Sequence, residues 1–490
     1  MTYKYSIPKE VSQVTNSLKN KGFEAFLVGG CVRDLILNKK PKDWDVTTNA
    51  KPEQIMEIFP ETFYENDYGT VGVVNEETED GTLKIVEVTP FRLEGGYSDK
   101  RRPDSVSFEA TLEDDLERRD FTINAIALDV EKEYVVDPFK GQEDLGSNLI
   151  KAVGNPIDRF NEDGLRILRA VRLSAELGFS IDLETEKAIL ETSYLLKEMA
   201  TERIRDEFIR MIESNEPMLG IIMAKKLGIL RYIVPELEET VDVEQNKAHS
   251  YDVWTHSLKS LQHAADRGWP LKIRLAALLH DISKPESRRR SKDKEKWTFY
   301  GHEVTGARRA LTIMRRLKFA NDITEEVVKL VRWHMFFSDT EKITLSAVRR
   351  LIASVGKDSV WDLVKVRMCD RIGTGRPKES PYRLRKYQSM IEEVLRDPVN
   401  VGMLEIDGKD IMDAANIEPG PKIGFILHAL LDELLDDPTI NKKDILTKKA
   451  LDMVKMDLKE LKKLGERGKN KKEEEETRKI EDIRHKYKVQ

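Results

Sequence analysis

Hydrophobic and polar positions change rhythm once along the chain, near residue 150. Before that point short apolar runs alternate with turns. Apolar residues at helical spacing predict a helix over 8–21, and a continuous apolar run predicts a strand over 25–28. Further strands are expected over 71–74, 83–89 and 123–129, each bounded by Gly or Asp. Beyond residue 155 the 3.6-residue period takes over, predicting helices over 161–177, 183–195, 201–214 and 218–227. Asn161 is placed to cap the first of these, with Gly178 as its stop. A stretch over 234–246 reads as a linker, and a last helical block runs over 384–464. The expected fold class is therefore an α/β (α+β) head over 1–150 followed by an all-α remainder. That remainder divides into a neck over 151–240, a histidine-bearing block over 246–375, a helical body over 376–464 and a charged tail over 465–490. The tail, poor in apolar residues, is expected to be frayed or solvated.

Composition narrows the class. The 490 residues are 40% hydrophobic and 35% charged, enough for several cores under a salty surface. With 82 basic against 88 acidic residues the net charge is −6, so any contact with nucleic acid must use local basic patches. Arg288–Arg290, Arg308–Arg309 and Arg315–Arg316 are such clusters, each equally readable as a solvated helix face. The two cysteines, Cys31 and Cys369, form no disulfide framework. The opening MTYKYSIPKEV has no apolar core typical of a secretory leader, and no run is long enough to span a membrane, so a cytoplasmic, soluble protein is expected.

The most informative stretch is AFLVGGCVRDLILNKKPKDWDVTT. Gly29-Gly30 at a strand-to-helix turn lets backbone N–H groups approach an anion, and Arg33 follows within the first turn. A glycine pair alone is more often a plain turn. Asp43 and Asp45, two apart, would project to one side of a strand. Adjacent carboxylates repel unless a cation lies between them, and hard oxygen ligands suit Mg²⁺. Glu87 on a neighbouring strand is a third carboxylate, completing the set needed for two-metal nucleotidyl transfer.

Six motifs in order, LVGGCVRD, PKDWDVTT, RRDFTINAIA, VDPFKGQEDL, RFNEDGLRILRAVR and ERIRDEF, carry a family resemblance. The sequence resembles the class II CCA-adding enzymes and bacterial poly(A) polymerases of the polymerase-β nucleotidyltransferase superfamily. The resemblance implies that Asp43 and Asp45 hold Mg²⁺ and activate an RNA 3′-hydroxyl, with Glu87 as third ligand. It implies that Gly29, Gly30 and Arg33 cradle phosphates, and that Arg118, Arg119, Asp120 and Asn124 contact ribose and triphosphate. Glu162, Asp163, Arg166 and Arg169 would bind the nucleotide too. Asp163 and Arg166, three apart, would share a helix face; alone they read as a surface ion pair, but they match the family's base-reading motif. Cytosine and adenine both present an amino donor beside a ring-nitrogen acceptor. Aspartate accepts from the first and arginine donates to the second; uracil and guanine would leave those groups unpaired.

Within the family, full CCA addition is favoured over A-only addition and poly(A) synthesis. The stretch EGGYSDKRRPDSVSFEA resembles the flexible loop that CC-only members lack, and NDYGTVGVV resembles CCA-adding members. CTP, ATP and the tRNA acceptor stem and elbow are the implied partners, the elbow gripped by the helical body; no membrane is implied, and oligomeric state is left open.

Six of the eight histidines fall between His249 and His334, too many to assign to packing alone. His256, His280, Asp281 and Asp370, with His302 and His334, resemble the metal ligands of the HD phosphohydrolase superfamily. Imidazoles with carboxylates suit a divalent transition metal. The family's HDIGK stands here as HDISK, with Ser283 in the glycine position. The alternatives are an HD block that only binds RNA, or an RNA-binding HD phosphohydrolase with an inactive head.

Overall fold

The computed structural model describes residues 5–64, 69–95, 105–246, 250–291, 296–336, 343–396 and 401–489. The chain divides into two compact units, one of Met1–His334 with Lys365–Pro377, the other of Met335–Val364 with Lys378–Gln490. Residues 335–364 thus group with the second unit although the sequence pattern places them in the histidine block.

In the first unit the head is built on a seven-stranded mixed sheet. Its order is Thr62–Tyr64, Val71–Val74, Ile85–Pro90, Asp45–Thr48, Ala25–Val28, Ala127–Asp129, Tyr134–Val136. Neighbours run antiparallel except at the centre, where Asp45–Thr48 lies parallel to Ile85–Pro90. Helix Lys9–Asn20 buries Val11, Val14 and Leu18, the helical-period positions the sequence marks. The strand expected over 123–129 shortens to Ala127–Asp129, preceded by a 3-10 turn at Thr122–Asn124. Asp120 causes this: its carboxylate accepts from Phe121 N (2.8 Å) and Asn124 Nδ2 (3.1 Å), pulling the chain into a local turn. Strands Leu93–Gly95 and Ser105–Ser107 pair antiparallel at the shoulders of the stretch resembling the flexible loop; its middle, 96–104, lies outside the described residues, as do 66–68 of NDYGTVGVV.

The neck corrects the helix expected over 161–177. It is two helices, Pro156–Glu162 and Leu165–Leu177. Asn155, not Asn161, caps the first, accepting from Ile157 N at 2.9 Å ahead of Pro156. The presumed linker is partly core: Val234, Leu237, Thr240 and Val243 are buried around a short helix, Pro235–Glu238.

The tail of the second unit is also corrected. It is not solvated coil but part of a 29-residue helix, Leu458–Lys486. Gly465 and Gly468 let it press against helix Pro421–Asp436: a Cβ on Gly468 would lie 2.1 Å from the His428 carbonyl oxygen. Buried Asp432 then accepts from Arg467 Nε (2.9 Å) and pairs with Lys471 (3.0 Å), and Arg396 pairs with Glu476. Among the described residues no helix is long and apolar enough to cross a membrane.

Candidate active site and metal centre

The strand Ala25–Val28 enters helix Gly30–Ile36 through Gly29, whose φ of 78° lies in the left-handed region that glycine tolerates. The space over this turn is ringed by charge. A Cβ on Gly29 would lie 3.1 Å from Arg119 Nη1 and 3.4 Å from Asp45 Oδ2; one on Gly30 would lie 3.7 Å from Arg33 Nη2 and 3.8 Å from Asp43 Oδ1. Bare backbone, two carboxylates and two guanidiniums therefore meet in one place. Trp44, between the aspartates, is only 2% exposed. Asp45 is register partner of Glu87 in the parallel pair, so these two side chains share a sheet face.

A second layer holds the guanidiniums. Asp115, fully buried, accepts from Arg118 Nε (2.9 Å), Arg119 Nη2 (3.1 Å) and Thr47 Oγ1 (3.2 Å). Burial alone would raise its pKa, yet the Arg119 and Arg118 charges hold it below the usual carboxylate range. Arg33 donates to Asn124 Oδ1 (2.9 Å) and Asp34 Oδ1 (2.9 Å). Asn124 donates to Asp120, which also pairs with Arg169 at 2.9 Å. Asp120 is buried, and its carboxylate is engaged by Asn124 and Arg169. Asp115 and Asp34 escape sequence reasoning because neither stands out by spacing from an ordinary surface acid. Cys31 is buried, and burial with the nearby Asp45 charge pushes its thiol up to about 12.

The neck changes the picture of Asp163 and Arg166. They do not sit on one helix face: Asp163, at φ −142° and ψ 104°, is the break between the two helices. Its Oδ1 accepts from Leu165 N (3.0 Å), starting the second helix. Its carboxylate is gripped by Arg203 of helix Thr201–Glu213, Nη1 to Oδ1 at 3.2 Å and Nη2 to Oδ2 at 2.7 Å. Arg166 instead donates to Glu162 Oε2 (2.5 Å), the Arg159 carbonyl (3.0 Å) and the Arg118 carbonyl (3.0 Å), tying the neck to the head. Gly164 packs closely, since a Cβ there would lie 3.0 Å from Leu195 Cβ, which would have to give way by a few tenths of an ångström. Arg203 lies inside the ERIRDEF motif; an arginine facing a helix break is the signal that marks it.

In the histidine block two sets of ligand atoms lie within 4.8 Å of one another: His256, His280 and Asp370, and Asp281, His302 and His334. Asp281 faces both sets. Its Oδ2 is 3.1 Å from His256 Nε2 and 3.2 Å from His280 Nε2, and its Oδ1 is 3.3 Å from His302 Nε2. The tautomers suit ligation. His280, His302 and His334 each donate Nδ1–H to the carbonyl three residues earlier (2.8, 2.6 and 2.7 Å), leaving Nε2 lone pairs turned inward. His256 and His280 bring Nε2 atoms within 2.8 Å, and His302 and His334 within 3.3 Å, in buried surroundings where only a proton or cation relieves the repulsion. Burial and the adjacent His280 push His334 down to about 3, so it stays a neutral donor. Burial would raise Asp281, but His280 and Lys284 hold it well below its usual range. Ser283 is buried at φ −99°, so the serine in HDISK causes no backbone strain. Of the basic clusters, Arg309 pairs with Glu239 and Arg316 with Glu236, so these two are partly committed within the fold.

These features agree with three family models: a poly A polymerase head domain over residues 25–151, a probable RNA and SrmB-binding site of polymerase A over 178–240, and an HD domain over 249–372. Fold and sites together define a nucleotidyltransferase with a polymerase head, joined to an HD domain. The chain is 32% identical over 450 residues to the CCA-adding enzyme of Limosilactobacillus reuteri, covering 90% of this chain and 96% of that protein. It is 31% identical to that of Bacillus cereus, covering 89% and 96%. The solved Bacillus stearothermophilus CCA-adding enzyme in complex with CTP superposes with a TM-score of 0.60 at 25% identity, covering 91% of this chain and 98% of that one. The chain belongs to the CCA-adding enzyme family.

Proposed function

We propose that the chain adds the 3′-terminal CCA to tRNA, transferring CMP and AMP from CTP and ATP. The observation that carries this is the convergence of Asp43, Asp45, Arg33 and Arg119 on the Gly29-Gly30 turn. The RNA 3′-oxygen attacks the α-phosphorus, the bond to the β-phosphate bridging oxygen breaks, and pyrophosphate leaves. Mg²⁺ held by Asp43 and Asp45, with Glu87 alongside, would favour ionisation of the 3′-hydroxyl and offset triphosphate charge. Gly29 and Gly30 admit the phosphates, with Arg33, Arg118 and Arg119 as counter-charges held by Asp34, Asn124 and Asp115. Asp163 accepts from the base amino group and Arg166 donates to the ring nitrogen, with Glu162 holding Arg166 and Arg169, paired with Asp120, completing the nucleotide contacts. The helical body over 376–464 would hold the tRNA elbow and the head its acceptor stem, in the cytoplasm. A tRNA transcript ending at the discriminator base, incubated with CTP and ATP and sequenced at its 3′ end, should acquire CCA. Addition of A only to ends already carrying CC, or long adenosine runs, would overturn this reading.

The HD cluster supports a second activity, a metal-dependent phosphohydrolase acting on terminal or 2′,3′-cyclic phosphates of RNA. Asp281 between two ligand sets is the observation that favours it. Water adds to phosphorus, the P–O ester bond breaks, and the leaving RNA oxygen takes a proton. A transition metal at each set would supply an activated water. Phosphate release from 3′-phosphorylated RNA, lost in His280→Ala while CCA addition persists, tests it; no release under Mn²⁺, Co²⁺ or Ni²⁺ would sink it.

A further inference from the structure

Between Asp281 and His302 the chain leaves the helices of the histidine block. It runs through the short helix Lys284–Ser287 into strands Arg289–Arg290 and Trp297–Thr298, which pair antiparallel, and returns at His302. The excursion is pinned at its base. Trp297 N donates to Asn246 Oδ1 (3.0 Å), and Glu244 Oε2 accepts from Trp297 Nε1 (3.4 Å) and Arg288 Nη2 (3.3 Å). The guanidiniums of Arg288 and Arg290 lie 3.6 and 3.7 Å from the Trp297 ring centroid, which sets their planes. Arg289 and Arg290 are exposed, and Tyr300 is 89% exposed. Beside them is a cleft of about 410 Å³, lined by Glu286, Ser287, Arg289, Thr298, Tyr300 and Thr305. Thr305 lies one turn after His302, so one helix start borders both the cleft and the histidine cluster.

An exposed phenol beside a positioned guanidinium, here Arg289, whose Nη1 donates to the Glu286 and Arg288 carbonyls (2.9 and 2.8 Å), is a combination that binds unpaired nucleotides: the ring stacks on a base and the cation meets a phosphate. A duplex would hide its base faces from Tyr300. An acidic peptide would use the arginines but gain little from the ring. We propose that this cleft is a landing site for a single-stranded RNA 3′ end, with one base against Tyr300 and a phosphate on Arg289. It holds the end beside the histidine cluster for removal of its phosphate. That last step rests on the phosphohydrolase reading; the RNA contact does not.

The test uses the full chain and a short unpaired RNA carrying 4-thiouridine and a 3′-phosphate at its end. After irradiation, the cross-linked peptide should contain Tyr300. Yield at sub-saturating RNA should fall in Tyr300→Ala by roughly 5- to 150-fold, the range of base–aromatic stacking. It should also fall in Arg289→Glu and return in Tyr300→Phe. Cross-links found only elsewhere on the wild-type chain, or unchanged yield in the variants, would overturn the proposal. So would displacement by poly-glutamate as effective as by unlabelled RNA, which would assign the patch to an acidic protein. Cross-linking at Tyr300 without phosphate release would keep the landing site and remove the hydrolytic reading; release with cross-links only elsewhere would do the reverse.

Discussion

Replacing Arg203 with alanine should relax the choice between bases while leaving the catalytic carboxylates intact. The magnitude comes from counting lone pairs. A carboxylate offers roughly four acceptor sites. On Asp163 three are taken, by Leu165 N and by the two Arg203 nitrogens, which leaves one on Oδ2 for an incoming amino group. Without the fork of Arg203, the carboxylate can rotate and that lone pair loses its direction. Asp163 and Arg203 are 14% and 27% exposed, so the pair is partly screened. The lower part of the range for charged hydrogen bonds, about 2 kcal/mol, then applies, roughly a 30-fold loss in discrimination. The assay is kcat/KM for CTP, ATP, UTP and GTP on tRNA lacking its terminal residues, read as the CTP:UTP and ATP:GTP ratios. Arg203→Lys keeps charge but not fork geometry and should fall between. A variant with a lower melting temperature and unchanged ratios would refute the argument, leaving Arg203 as a strut only.

Asp115→Asn should raise KM for CTP and ATP together, by roughly tenfold, because Arg118 and Arg119 lose their shared anchor; unchanged KM would exclude the anchoring role. The depressed pKa of Asp115 stabilises the fold above the ordinary carboxylate range, and this is lost as pH falls through the depressed value. The melting-temperature gap between wild type and Asp115→Asn should therefore close on acidification. Gly468→Ala should destabilise the second unit by about 1–3 kcal/mol in denaturant titration through overpacking, whereas Gly424→Ala, with nothing within 4 Å, should gain up to about 1 kcal/mol from helix propensity. Equal effects would place the C-terminal helix away from Pro421–Asp436. Asp281→Asn should lower bound transition metal in both halves of the cluster, measured by elemental analysis after dialysis; loss of a single ion with the other retained would refute the bridge.

The head was largely legible because its chemistry is local: Gly29, Gly30 and Arg33 lie within five residues, and Asp43 and Asp45 flank a buried tryptophan, although only Asp45 opens the strand and Asp43 lies in the bend before it. Glu87 needed a strand register, which the alternation of buried Val86 and Val88 fixes. The break at Asp163 was hidden because Leu165 to Leu177 continues a helical period, while the partner that holds Asp163 at the break, Arg203, lies forty positions on. Asp115 was hidden for a similar reason, since an acid three and four residues before two arginines reads as a surface pair until its burial is known. The C-terminal helix misled hydropathy altogether. Leu461 and Leu464 anchor its start in the core, but beyond them it is held by two glycines, Asp432 and the Arg396–Glu476 pair, and small and charged residues carry no hydrophobic signal.

The double duty of Asp163 has an evolutionary consequence. The same carboxylate that is proposed to read the base also begins a helix and anchors Arg203. A lineage drifting toward another nucleotide could not exchange this residue alone, because the exchange would unseat the helix before a new preference arose. Altered specificity would require paired substitutions at 163 and 203, with Gly164 retained, and each single step would be less fit than either end. The reading frame of the base is thus protected by epistasis, and homologues that depart at one of these positions should depart at the other.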